Sequence, residues 1–281
     1  MIGTTGAFAY ASGSIGYDIS YPQCGIYPSG AAAGRASPGP ARFTAGRAGQ
    51  VLSAYGLVQS AFQPRTAPPS SGSSTFRTRN GTLAFGIIGV DGGRPFNSPN
   101  PCLASEYASA PSPAVYINTG YDPSYVSKYT TPSCAVPSTS SDQQKAYAVG
   151  CSEAQDDYGY AQSKGIANPV AWWLDVETAN SWCGLHGVTC DISLNQYTIQ
   201  GIIDTFSHIG AVPIGIYSNK TMWSAIVGSP TITGASADWV ASGQSTPRQA
   251  AAYCNSSSSF SGSPVTIVQF VYNSADRDYA C

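Results

Sequence analysis

Asp175 and Glu177 stand two residues apart at the end of an apolar run, Val170–Val176 (VAWWLDV). Side chains alternate along a strand, so residues i and i+2 project to one face. Two carboxyls held that close cannot ionise independently. Repulsion and a dry aromatic surround raise one pKa and leave a proton donor beside an anion. Cleavage of a glycosidic bond needs that division of labour: an acid for the leaving oxygen and an anion facing the oxocarbenium charge. The other two glutamates, Glu106 and Glu153, fall in helix-length segments. Ion pairs and metal loops also produce D-x-E triplets; the Trp-rich apolar strand is what favours catalysis here.

Elements able to position the pair recur along the chain. Apolar runs at Ile15–Ser20, Ala84–Val90, Ala114–Asn118, Val170–Val176, Val212–Ser218, Ala237–Ala241 and Val265–Val271 are nearly continuous in hydrophobicity, as in strands covered on both faces. An eighth at Asp276–Ala280 would complete a ring. Helices are expected at about 46–62, 101–110, 142–164, 193–209, 220–227 and 246–254, with Asp142 as an N-cap and Gly210 as a stop. This alternation predicts a single-domain, irregular (β/α) TIM-like barrel over 1–281, with an open doubly wound sheet as the alternative. No Gly-rich phosphate loop follows the first strand, which disfavours the open sheet. Working residues of a barrel lie at strand C-termini. Those ends carry Asp18, then Asp91 with Arg94, Asn118, the Asp175/Glu177 pair, Tyr217, Trp239, Gln269 and finally Asp276 or Asp278.

Composition narrows the setting. Of 281 residues 42% are hydrophobic and only 10% charged, against roughly a quarter charged in an ordinary soluble domain. The net charge of −2 gives no reason to expect nucleic acid, and no run is long enough to span a membrane. Eight cysteines without a C-x-x-C pair read as four disulfides of a secreted protein rather than a metal or redox site. Proximity suggests Cys134–Cys151, Cys183–Cys190 and Cys254–Cys281, leaving Cys24–Cys102. The opening MIGTTGAFAYASG lacks a basic n-region and an apolar h-region, so Met1 reads as the start of a mature or recombinant chain. Residues 19–90 hold six arginines and no acid, a Gly/Pro-rich first crossover of formal charge +6 in an otherwise acidic chain. Its arginines are either solvated or capping carbonyls, or they form a patch that meets an anionic polymer or pairs with the acidic remainder.

Taken in series, GYDIS, YINTG, WWLDVET, GIYSNKTMW, ADWVAS, IVQF and a terminal D-x-D resemble the glycoside hydrolase family 25 lysozymes and their glycoside-hydrolase-like relatives, over residues 15–281. The resemblance implies an irregular β/α barrel that cleaves the β-1,4 bond between N-acetylmuramic acid and N-acetylglucosamine. By motif, Glu177 matches the general acid and Asp175 the carboxylate that stabilises charge or orients the acetamido group. Asp18 and Asp276 match acids of the first and last strands, and Tyr217, Trp239 and Gln269 match pocket positions. VDGGRPF and NPCLASEYA resemble the relatives more than the lysozymes, and the eight cysteines depart from typical bacterial members. A chitinase-type D-x-x-D-x-D-x-E fits worse, since Trp173 holds the place of its middle aspartate.

Each candidate has a plainer role beside the functional one. Asp18 could bond backbone amides, and Asp91 and Arg94 could form a loop salt bridge. Trp172 is expected in the core and Trp182 over the disulfide loop. Trp223 and Trp239 are divided between packing and sugar stacking, and His186 and His208 are expected to be bystanders. The first functional expectation is a secreted, monomeric glycosidase that needs no cofactor or metal and acts on a wall polysaccharide. A catalytically silent barrel that binds glycan or protein, or a hydrolase of another polysaccharide, stands as the alternative.

Overall fold

The computed structural model describes residues 10–19, 77–78, 81–96, 99–230 and 232–281. Most of the arginine-rich crossover, the helix expected at 46–62, and Cys24 lie outside them. The described chain begins with β1 (Ile15–Ile19), the short β2 (Arg77–Thr78) and β3 (Gly81–Thr82), then β4 (Gly86–Gly89), α1 (Leu103–Ser109) and β5 (Ala114–Asn118). Then come α2 (Tyr125–Tyr129), α3 (Asp142–Ser163), β6 (Trp172–Asp175), α4 (Leu194–Ile209), β7 (Ile214–Ser218) and α5 (Lys220–Val227). The chain ends with β8 (Ala237–Gln244), α6 (Pro247–Ala251), β9 (Val265–Tyr272) and β10 (Ala275–Ala280).

Eight strands close a barrel in the order β1-β10-β9-β8-β7-β6-β5-β4, with β4 pairing back onto β1; β2 and β3 form a separate ladder. The expected (β/α) barrel is therefore present, and the open sheet is excluded. Its irregularity lies in β10, which runs antiparallel to both β9 and β1. Only Asn273 and Ser274 separate β9 from β10, with φ of 50° and 60°. Two left-handed residues make the tight turn whose twist suits a hairpin, leaving no length for a crossover.

Both faces of the strands are covered, which explains their continuous hydrophobicity. Inside the barrel lie Phe85, Ile87, Tyr116, Trp173, Trp239 and Ile267, interleaved with alanines. Rings of this size fit because the neighbouring strand carries glycine at the same level. A Cβ on Gly215 would stand 2.2 Å from the Trp173 ring, and one on Gly16 2.3 Å from that of Phe85. Outside, Trp172, Leu174, Val176 and Ile216 pack with Val149, Ile202 and Phe206 of the helices.

The cap of α3 stands one residue before the expected Asp142. Ser141 accepts from the Gln144 amide, and Gln144 returns a bond to the Ser141 N–H, so the cap is Ser141 and Asp142 sits in the first turn. Gly210 closes α4 at φ 80°, as expected. α2 was not anticipated; five residues are too few for a periodic signal, and tertiary packing must supply its stability. The Cys134–Cys151, Cys183–Cys190 and Cys254–Cys281 disulfides are all present.

Candidate active site

Adjacent parallel strands bring three polar side chains into one row inside the barrel mouth. Asn118 of β5 is the register partner of Asp175 of β6, which is the partner of Tyr217 of β7. The Asn118 Nδ2 donates to Asp175 Oδ2. The Asn118 backbone N–H donates in turn to Asp91 Oδ2 at 2.8 Å, while Asp91 Oδ1 accepts from Gly93 N at 3.3 Å. Asp91 thus fixes the end of β5. Burial pushes its pKa up to about 7, against the opposing pull of these backbone donors.

A second chain of bonds crosses the other half of the mouth. Tyr217 Oη donates to Gln269 Oε1 at 2.7 Å, and Gln269 Nε2 donates to Asp18 Oδ2 at 2.9 Å. Asp278 lies close by, its carboxyl held far above the usual range, first by burial and then by the Asp18 and Asp276 charges. Like charges held this close raise the pKa of one member. Trp239 Nε1 donates to Asp278 Oδ1 at 2.8 Å.

Glu177 follows β6 on the same face as Asp175. The intervening Val176 is buried in the outer core, its carbonyl accepting from Ser218 Oγ at 2.7 Å. The backbone around the pair is pinned. The Asp175 carbonyl accepts from Thr119 Oγ1 at 2.8 Å and Asn180 Nδ2 at 3.2 Å, and the Glu177 carbonyl accepts from Trp182 Nε1 at 3.0 Å. Asp175 is 6% exposed, and burial, then the charges of Glu177, Asp91 and Asp18, hold it well above the usual carboxylate range. Glu177 is half-buried, raised by burial and by the charge of Asp276. Among the described residues no hydrogen-bond donor reaches its carboxyl, whereas Asp175 has Asn118.

The structure thus brings together Asp18, Asp91, Asn118, Asp175, Glu177, Tyr217, Gln269 and Asp276. Because β10 runs antiparallel, its start rather than its end lies at the mouth: Asp276 reaches Glu177 electrostatically, while Asp278 lies fully buried in the barrel. Trp239 is also inside, 2% exposed and edge-on to Tyr217 with centroids 4.6 Å apart. Trp223 does not join the group; it lies in the helix-side core against Phe260. Arg94 is exposed, and among the described residues it makes no ion pair with Asp91. Sequence reasoning missed Asn180 as a support and gave Trp182 only the disulfide loop to cover. The signal was their place directly after WWLDVET, where the chain must turn to present Glu177.

The mouth is an acid-rich, water-accessible site able to hold protons at neutral pH and to face a developing cation. Among the described residues no cluster of His, Cys, Asp and Glu is arranged to hold a metal, and no helix is long and apolar enough to cross a membrane.

No protein-family profile and no curated protein matches the chain. Its structure is similar to that of a muramidase from Acremonium alcalophilum at 16% identity and TM-score 0.43, covering 71% of this chain and 83% of that one. A glycosyl hydrolase 25 of Streptococcus pneumoniae aligns at 13% identity and TM-score 0.44, over 71% and 77% of the two chains. A bacterial lysozyme from Streptomyces coelicolor aligns at 16% identity and TM-score 0.40, over 70% and 81%.

Proposed function

We propose that this protein is a secreted glycoside hydrolase that opens a cell-wall glycan, foremost peptidoglycan, using Glu177 as general acid and Asp175 as the charge-stabilising carboxylate. One observation carries the reading. Two carboxyls leave one strand on one face, both are held above the ordinary range, and only the deeper one receives a donor. A bond donated to a carboxylate favours its charged form. Asn118 therefore opposes the burial that raises Asp175 and favours its charged form, while Glu177, raised by burial and by the Asp276 charge, is the member open to solvent and to a glycosidic oxygen. Protonation of that oxygen by Glu177 lets the bond break, while Asp175 faces the positive charge growing on the ring.

The remaining acids act around this pair. Asp276 helps Glu177 keep its proton, and Asp18 fixes Gln269, which with Tyr217 offers polar atoms to a sugar. Asp91 holds Asn118 in place. Three disulfides in a chain so poor in charge support an oxidising, extracellular setting.

The test is release of new reducing ends from peptidoglycan, chitin, arabinan and glucan, followed by mass spectrometry of the products. Peptidoglycan should be cleaved, and Glu177→Gln should lower turnover by ~10²–10⁴-fold with glycan affinity nearly kept. Undiminished turnover in Glu177→Gln would remove this residue from the role. A wild-type protein that binds these glycans and opens none would be a silent barrel.

A further inference from the structure

β6 ends at Asp175, so Glu177 stands past the ladder and needs other contacts to fix its backbone. The Val176 N–H still donates to the Tyr217 carbonyl at 2.9 Å. Beyond it, a loop closed by the Cys183–Cys190 disulfide takes over. Trp182, next to the first cysteine, donates Nε1–H to the Glu177 carbonyl at 3.0 Å, beside the Asn180 N–H at 3.2 Å. His186, inside the loop, bonds the Thr178 carbonyl through Nε2. Two consecutive carbonyls of the acid-bearing segment are thus gripped by side chains of one small loop.

The loop is itself tied down. At its root Asn195 of α4, fully buried, accepts from the Cys183 N–H at 3.0 Å and donates to the Cys183 carbonyl at 3.2 Å. The same Nδ2 reaches the Ile226 carbonyl at 2.7 Å, which joins the root to α5. Within the loop, the Gly184 N–H donates to the Val188 carbonyl and the Val188 N–H to the Leu185 carbonyl, both at 2.9 Å. His186 is exposed and lines a cavity with Arg94 and Phe96, yet its backbone is left-handed, with φ of 50°. That conformation is uncommon for a residue with a side chain, and strain of this kind collects at functional sites.

We propose that the Cys183–Cys190 loop positions the general acid, with Trp182 and His186 as positioning residues that fix the backbone from which the Glu177 carboxyl projects. The proposal rests on the hydrolytic role given to Glu177. Among the described residues no donor reaches that carboxyl, so its place follows from the direction of its own backbone. Asp175, Asp276, Tyr116 and Tyr217 face it electrostatically. A displacement of about 1 Å at a reacting group costs on the order of 10²-fold in rate.

The experiment joins carboxyl NMR to kinetics. The chain has only three glutamates, so ¹³C-glutamate labelling gives three carboxyl signals, with Glu177 assigned from Glu177→Gln. In the wild type Glu177 should titrate above an ordinary glutamate, because burial and Asp276 raise it. In Cys183→Ala/Cys190→Ala the freed segment should let Glu177 turn to water, so its midpoint should fall toward ~4.3. Peptidoglycan turnover should drop in kcat by about 10²-fold with KM little changed. Trp182→Phe keeps the ring without the donor, and His186→Asn suits the left-handed backbone but is too short to reach Thr178. Each should lower kcat about ten-fold and the Glu177 midpoint with it. His186→Gln, which sets an amide N–H where Nε2 stands, should recover most of both. Unmoved Glu106 and Glu153 signals report an intact fold; if the cysteine variant disturbs them, the two His186 variants decide alone. A Glu177 midpoint unchanged in His186→Asn, or a His186→Gln no better than His186→Asn, overturns the proposal. The midpoint is read without turnover, so a wild type that cleaves no glycan removes the hydrolytic reading and still leaves the positioning claim measurable.

Discussion

The side-chain amide of Asn118 donates to the Asp175 carboxylate across the β5–β6 seam, and the Asn118 backbone N–H is itself held by Asp91. This bond breaks the symmetry of the Asp175/Glu177 pair, because it favours charge on Asp175 alone. Asn118→Ala should therefore raise the Asp175 pKa further and leave less of it charged at the working pH. Turnover should fall about ten-fold, in line with loss of a hydrogen bond to a charged group. The acidic limb of the pH–rate profile should move to higher pH; an unmoved limb would separate Asn118 from proton placement.

Asp276 tests the other side of the pair. Its charge is the one that raises Glu177 beyond the effect of burial. In Asp276→Asn, Glu177 should have a lower pKa and lose its proton earlier. Activity should then fade at a lower pH on the alkaline side, with the acidic limb less affected. A pH–rate profile of kcat identical to wild type would show that Asp276 does not act on Glu177.

Buried acids should also set the stability of the fold. Asp91 rises from 3.8 to about 7 on folding, and Asp175, Asp278, Glu153 and Asp157 are all raised by burial. Between the unfolded and folded pKa the native state binds more protons than the unfolded one, so stability falls as pH rises. For Asp91 the contribution is complete below about pH 4 and is lost as pH climbs through about 7. Thermal unfolding followed from pH 4.5 to 8 should show a declining Tm across this window, and Asp91→Asn should flatten part of the decline.

Glycine substitutions should separate packing from propensity. Gly215→Ala drives a methyl into the Trp173 ring and should destabilise by ~1–3 kcal/mol, the usual cost of overpacking. Gly159→Ala in α3 meets nothing within 4 Å and should be neutral or stabilising by about 0.5–1 kcal/mol. Denaturant titration of both variants reads the contrast.

Intact mass should be eight protons lighter than that of the fully reduced chain. Opening Cys134–Cys151, which spans 17 residues between the α2–α3 connection and α3, should lower stability by roughly 3 kcal/mol on a loop-entropy basis. Several free thiols in the native protein would argue against an oxidising compartment.

Strand periodicity and run spacing were enough to read the barrel, because a buried parallel strand writes both of its faces into consecutive residues. The same-face placement of Asp175 and Glu177 was legible for that reason, as were three disulfides closed over short separations. Which distant residues share space is another matter, because it depends on strand direction and stagger. The terminal D-x-D could not be ranked from sequence. Only the tight Asn273–Ser274 turn, by reversing β10, sends Asp276 to the mouth and Asp278 into the interior. Trp223 reads as readily for stacking as for packing until α5 turns it toward Phe260. Arg94 and His186, 92 residues apart in sequence, meet across one cavity because the loops after β4 and β6 converge there, and local pattern carries no record of such a meeting.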